Sequence, residues 1–215
     1  MNIRTPAVLV ATILALGGAA ASPALAQPSS GDVAQCVRGN WQSTGVTIER
    51  QATNDMAVNG GSGASLMIGD NGDATLDFAR MHQANFSGTQ HDTQVQGFVE
   101  LSGQATGTVS TTENTGSTGT INARDVDWGN VQLTVALTQP FSSTPVDHVP
   151  VTQLQQLAQQ HGHNGMHGHN GMHRPTLTEP TYTCGNGTLT LATTLQTQQH
   201  NNLGNVTWTF ERPTG

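Results

Sequence analysis

Lysine is missing altogether from this chain, charged residues make up 10% of it, aromatics 4%, and there are two cysteines. Each shortage narrows the reading. The seven basic residues, all arginine, stand against fourteen acidic ones for a formal charge of −7, which disfavours attraction to polyphosphate or an anionic lipid surface. No nucleic-acid partner is expected. Beyond residue 26 no apolar run approaches the ~20 residues of a membrane-spanning helix. With charge and aromatics scarce, Thr, Gly, Gln, Asn and Ser fill the polar positions, a composition suited to an exported β protein.

The first residues read as an export signal over 1–26, with Arg4 as its charged start. An apolar run from Ala7 to Ala21 and the small-residue pattern Ala24-Leu25-Ala26 before Gln27 complete it. Removing Arg4 with the leader takes the formal charge to −8. A lipid anchor would need a cysteine at the cleavage point, and Cys36 lies well downstream, so the expected location is secreted or extracytoplasmic without a lipid. About 190 residues remain, enough for one domain. Residues 27–35 read as a disordered lead-in and 36–212 as the domain. Two cysteines in an oxidising compartment point to a Cys36–Cys184 bridge, whose long loop carries roughly 4 to 5 kcal/mol in the chain-entropy picture.

From residue 36 on, apolar and polar residues alternate with a period of two, broken repeatedly by Gly, Asn and Asp. One expected hairpin sets Ala64, Leu66 and Ile68 against Ala74, Leu76 and Phe78 across Asp70-Asn71-Gly72-Asp73. A second places Val95, Gly97, Val99 and Leu101 on one face and turns at Ser102-Gly103 into Ala105, Gly107 and Val109. Val131, Leu133, Val135 and Leu137 form the cleanest strand. Near the end, Tyr182 to Cys184 turns through Gly185-Asn186-Gly187 into Leu189, Leu191 and Leu195, and a last strand carries Val206, Trp208 and Phe210. This pattern predicts an all-β antiparallel fold of about eight to ten strands, met by a closed barrel or a sandwich. Inward glycines at 97, 107 and 187 favour the barrel.

A segment from Pro140 to Pro180 interrupts the alternation and reads as an insertion rather than a strand. Thr152 can cap a short helix through Gln160. After it comes a tandem repeat, His161-Gly162-His163-Asn164-Gly165-Met166 followed by His167-Gly168-His169-Asn170-Gly171-Met172, ended by His173. Five imidazoles and two thioethers within thirteen residues can wrap a metal ion: imidazole suits copper(II), nickel or zinc, and Met166 and Met172 suit copper(I). The rival reading is a low-complexity surface loop. No cofactor is required on this reading.

Cys36-Val37-Arg38-Gly39-Asn40-Trp41 opens the domain with a Gly-x-Trp, and Thr207-Trp208-Thr209-Phe210-Glu211-Arg212 closes it. Together they resemble the lipocalin arrangement. The resemblance implies an up-and-down barrel in which Trp41 plugs one end and Arg212 stacks on its face, a cation–π contact worth roughly 0.5 to 2 kcal/mol. More narrowly, the chain is similar to a group of small exported bacterial proteins of uncharacterised function. Shared with them are Cys-x-x-Gly-x-Trp, the Gly60-Gly61-Ser62-Gly63 stretch, a Tyr-x-Cys-x-Gly segment at Tyr182, and the Trp-Thr-Phe ending. The likeness covers 36–212 outside the insertion.

Asp70, Asp73 and Asp77 lack the spacing and distal Glu of a calcium loop. His82, His91, His148 and His200 are scattered, and Asp92, Glu100 and Glu113 carry no local catalytic signature, so no catalytic residue and no enzyme activity are assigned. Three roles remain. The first is a barrel whose interior, lined by Leu66, Ile68, Leu76, Phe78, Val99, Leu133 and Val135, takes a small apolar molecule. The second is an extracytoplasmic metal buffer using His161, His163, Met166, His167, His169, Met172 and His173. The third is an envelope or interaction protein with no small ligand.

Overall fold

The computed structural model describes residues 33–50, 57–90, 92–153, 176–196 and 202–213. Strand β1 (Gly39–Arg50) is followed by four long antiparallel passes, each interrupted once. They are β2 and β3 (Ala57–Gly60, Ser65–Ile68), β4 and β5 (Asp73–Asp77, Ala84–Gln90), β6 and β7 (Thr93–Ser102, Gln104–Thr115), and β8 and β9 (Thr118–Asp127, Gln132–Gln139). Then β10 (Ser143–Pro150) returns alongside β9, β11 and β12 (Thr176–Leu177, Thr181–Gly185) form another interrupted pass, and β13 (Thr188–Gln196) and β14 (Asn202–Glu211) finish.

Each interruption divides its pass between two regions. On one side the strands pair in the cycle β1-β3-β4-β7-β8-β12-β13-β14 and back to β1, every pairing antiparallel. This is a closed, eight-stranded, up-and-down barrel visited in chain order. Closure satisfies both edges of the sheet, so no ring strand exposes an unpaired ladder along its whole length. On the other side the sheet continues in the order β10-β9-β6-β5-β2-β1-β14-β13-β11 and is open, with β10 and β11 as its ends among the described residues.

The line of interruptions is held by glycine and by one buried hydroxyl. Gly60, Gly61 and Gly63 all have positive φ, and a Cβ on Gly63 would collide with the Arg80 carbonyl oxygen. Backbone therefore presses on backbone where two passes break side by side. In β1 a bulge between Ser43 and Gly45 lies at the same level. Ser43, 3% exposed, donates from Oγ to the Gly61 carbonyl at 2.8 Å and accepts from the Ala64 N–H at 2.9 Å. A bulge leaves ladder groups unpaired, and this side chain supplies the partners.

Several expectations need correction. Ser102-Gly103 is no hairpin turn: β6 and β7 run in the same direction through Gly103, which takes φ +90° and passes the chain from one region to the other. The span 140–180 is not free of strands, since β10 lies within it and β11 pairs with β13. The lead-in assigned to 27–35 is packed at its end, with Val33 and Ala34 buried and the Ala34 N–H bonded to Thr111 Oγ1 at 2.7 Å. Gly187 is exposed in the β12–β13 turn rather than inward. The barrel itself keeps to the expected strand number: eight of the fourteen strands among the described residues close it. The Leu66↔Leu76 and Ile68↔Ala74 pairs follow the expected register. Of the helix over 152–160, residues 151–153 are described and helical, and the rest falls outside the described residues.

Residues 33–38 cap the barrel end opposite the second region. Val37 is fully buried there, and Cys36 is bonded to Cys184 with 6.0 Å between the Cα atoms.

Candidate functional site

The barrel interior is not filled. On three neighbouring strands the inward positions carry small residues: Ala74 on β4 pairs with Gly107 on β7, Ala105 pairs with Leu76, and Ala123 on β8 pairs with Val109. Small residues facing one another across adjacent strands cannot reach the far wall formed by Leu191, Trp208 and Phe210. A cavity of about 110 Å³ results, bounded also by Leu66, Ile68, Ile121, Val126 and Trp128. Its walls are almost wholly apolar, since Thr106 and Thr108 border it while being exposed.

Among the described residues the ladder between β8 and β12 is short. β8 pairs with β12 over Thr118–Thr120, and one further bond joins the Ile121 N–H to the Pro180 carbonyl at 2.9 Å. Beyond that point no β8–β12 pair is formed among the described residues, and Ala123, Val126 and Pro180 border the cavity while half-exposed, as do Ala74, Leu76, Gly107 and Val109 on β4 and β7.

Of the seven interior residues expected from the sequence, Leu66, Ile68 and Leu76 line this cavity. Phe78, Val99, Leu133 and Val135 are buried elsewhere. Phe78 sits at the line of interruptions, while Val99 pairs with Val135 and Leu133 with Leu101 in the open region. Alternation alone cannot say on which side of a break a residue falls. Trp208, Phe210 and Leu191 were legible as inward strand residues but not as cavity wall.

At the capped end the Trp41 ring lies under Arg212, 4.3 Å from Cζ to the ring centroid. Trp41 Nε1 donates to the Val37 carbonyl at 2.8 Å, and Arg212 Nη2 donates to the Arg38 carbonyl at 3.0 Å. Gly39 makes room for this, because with φ +112° a Cβ there would lie 2.6 Å from Arg212 Nη1. Tyr182, 1% exposed, covers its cross-strand partner Gly119, whose absent side chain leaves space for the ring.

His161, His163, Met166, His167, His169, Met172 and His173 lie outside the described residues, as do His91 and His200. Among the described residues, no group of three or more His, Cys, Asp or Glu side chains could hold a metal. Asp70 and Asp73 belong to a turn in which Asn71 Nδ2 donates to Asp73 Oδ2 at 2.6 Å and Arg38 approaches Asp70 at 3.6 Å. His82 and His148 are exposed, bonded to Ser62 and Asp147 respectively. No helix among the described residues is long and apolar enough to cross a membrane. Neither a protein-family model nor a curated protein matches the chain.

Proposed function

We propose that this is an extracytoplasmic binding protein of lipocalin-like design whose barrel accepts a compact apolar molecule. The observation that carries the reading is the apolar cavity of about 110 Å³ inside a closed barrel. An engineered apolar cavity of roughly 150 Å³ in another protein stays dry and binds benzene, so this volume suits a five- or six-membered carbon ring. The export-type leader, the Cys36–Cys184 bridge and the Trp41–Arg212 contact support the compartment and the design. A ligand binding the folded state raises its stability by RT ln(1 + [L]/Kd). Titration with benzene or cyclopentene, followed by NMR of side-chain methyl groups, is expected to give saturable shifts at Leu66, Ile68 and Leu191 with none at Val99 or Val135. Absence of saturable shifts together with an unchanged melting temperature would overturn the reading.

A further inference from the structure

Five Asn-Gly pairs occur in the chain, and three of them, Asn59-Gly60, Asn71-Gly72 and Asn186-Gly187, lie among the described residues. They are held very differently. Asn59 and Gly60 belong to β2, which is paired with β1 on one side and β5 on the other. Asn71 Nδ2 donates to Asp73 Oδ2 at 2.6 Å, its Oδ1 accepts from the Asp73 N–H at 3.2 Å, and the Gly72 N–H donates to the Gly69 carbonyl at 3.1 Å. Asn186 and Gly187 form the β12–β13 turn with φ +52° and +78°, the left-handed pair of a two-residue hairpin. Both are exposed, and among the described residues neither the Asn186 side chain nor the Gly187 N–H makes a hydrogen bond. Chain neighbours aside, no heavy atom lies within 4 Å of a Cβ placed on Gly185 or Gly187, so no packed group restrains the turn there.

We propose that Asn186-Gly187 is a self-modifying site, which converts to isoaspartate and thereby loosens the capped end of the barrel. The Gly187 nitrogen attacks Asn186 Cγ, the new C–N bond closes a succinimide ring, and Nδ2 leaves as ammonia with the proton that Gly187 gives up. Water then opens the ring at one of its carbonyls, leaving aspartate or, with the chain rerouted through Cβ, isoaspartate. Glycine favours the attack because it has no side chain to obstruct it and the backbone freedom to swing toward Cγ. At Asn71 the bonds to Asp73 and Gly69 must break first, and at Asn59 the flanking strands must part. The consequence reaches the cap through one bond. The Gly187 carbonyl accepts from the Arg212 N–H at 3.0 Å, and Arg212 lies over Trp41. Isoaspartate adds a backbone methylene to this turn, so the closing Gly185–Thr188 pair and the bond to Arg212 no longer share one register.

The test incubates the folded full-length protein in mildly alkaline buffer and follows each Asn-Gly pair by peptide mass spectrometry, with a urea-unfolded, reduced sample as the clock. Within the time the unfolded chain converts, acid is expected to replace amide at Asn186 at least about 10-fold faster than at Asn71, the minimum set by breaking its hydrogen bonds first. Asn59 should lag as well. The melting temperature is expected to fall as the isoaspartate fraction grows and to hold in Asn186→Gly, whose Gly-Gly turn keeps the required backbone and has no side-chain amide. Fresh Asn186→Asp, which adds the charge without the methylene, should melt close to fresh wild type. If Asn186 keeps its amide over that time, or converts no faster than Asn71 or Asn59, the site is refuted. If Asn186 converts but the melting temperature falls equally in Asn186→Gly, or if Asn186→Asp is as unstable as the aged protein, the methylene's effect on the cap is refuted.

Discussion

The two regions on either side of the line of interruptions are built from the same passes of chain, yet one closes and keeps a cavity while the other stays open and fills its face. In the barrel, β1 pairs with β3 and β14 and no end remains. In the open region, β10 and β11 end the sheet among the described residues. Interiors differ as well. Phe86 lies directly over Gly97 in the open region, and Val99 pairs with Val135 beside it, so a large residue occupies the space a glycine vacates. In the barrel Gly107 is paired with Ala74, two small residues side by side on the cavity wall, and the group packed against Gly107 is the β8 chain at Arg124 and Val126 rather than a large aromatic. Hollowness is thus set by which residues face each other, not by the number of strands.

Four changes would break or sharpen this contrast. The largest effect is expected from Trp41→Ala at the capped barrel end, where removing a side chain that is 3% exposed should cost roughly 3 to 5 kcal/mol in chemical denaturation. Replacing Cys36 and Cys184 together by Ser should cost roughly 2 to 5 kcal/mol, read as a lower calorimetric melting temperature that reductant no longer affects. Ser43→Ala strips the Gly61 carbonyl and Ala64 N–H of their buried partner, with an expected loss of roughly 1 to 3 kcal/mol. Amide exchange should then speed up on both sides of the break, whereas loss confined to one region would show that the two regions are not joined there. The smallest and most discriminating is a matched pair. Ala105→Leu, pointing into the cavity, should leave stability within about 1 kcal/mol and abolish benzene binding, while Val99→Leu in the filled region should cost roughly 1 to 3 kcal/mol.

Much of the barrel was legible in the sequence because its signals are local. Asn71-Gly72 and Gly185-Asn186-Gly187 set the register of their hairpins, and period two marked the faces. The interruptions were not legible. Val95, Gly97, Val99 and Leu101 keep the same odd-numbered phase as Ala105, Gly107 and Val109, so straight passage through Gly103 and reversal at Gly103 produce one identical pattern. Strand β10 escaped notice for another reason. Two irregularities in its register space Val146 and Val149 three apart, His148 adopts φ +49°, and Pro145 and Pro150 are tolerated because this strand is an edge. The cavity was half visible, since large wall residues announce themselves as apolar but the alanines that leave room among them do not.

The position of the sulfur bridge sets how the protein would respond to tension. The start of β1 and the end of β14 lie side by side, with Gln42 opposite Glu211, so pulling on the two ends peels rungs one at a time instead of shearing them together. Because Cys36 is tied to Cys184, the oxidised chain can release the stretch from 184 to 212 and no more, a gain of about 100 Å at ~3.4 Å per residue. Everything between the two sulfurs stays shielded from the load until they are reduced.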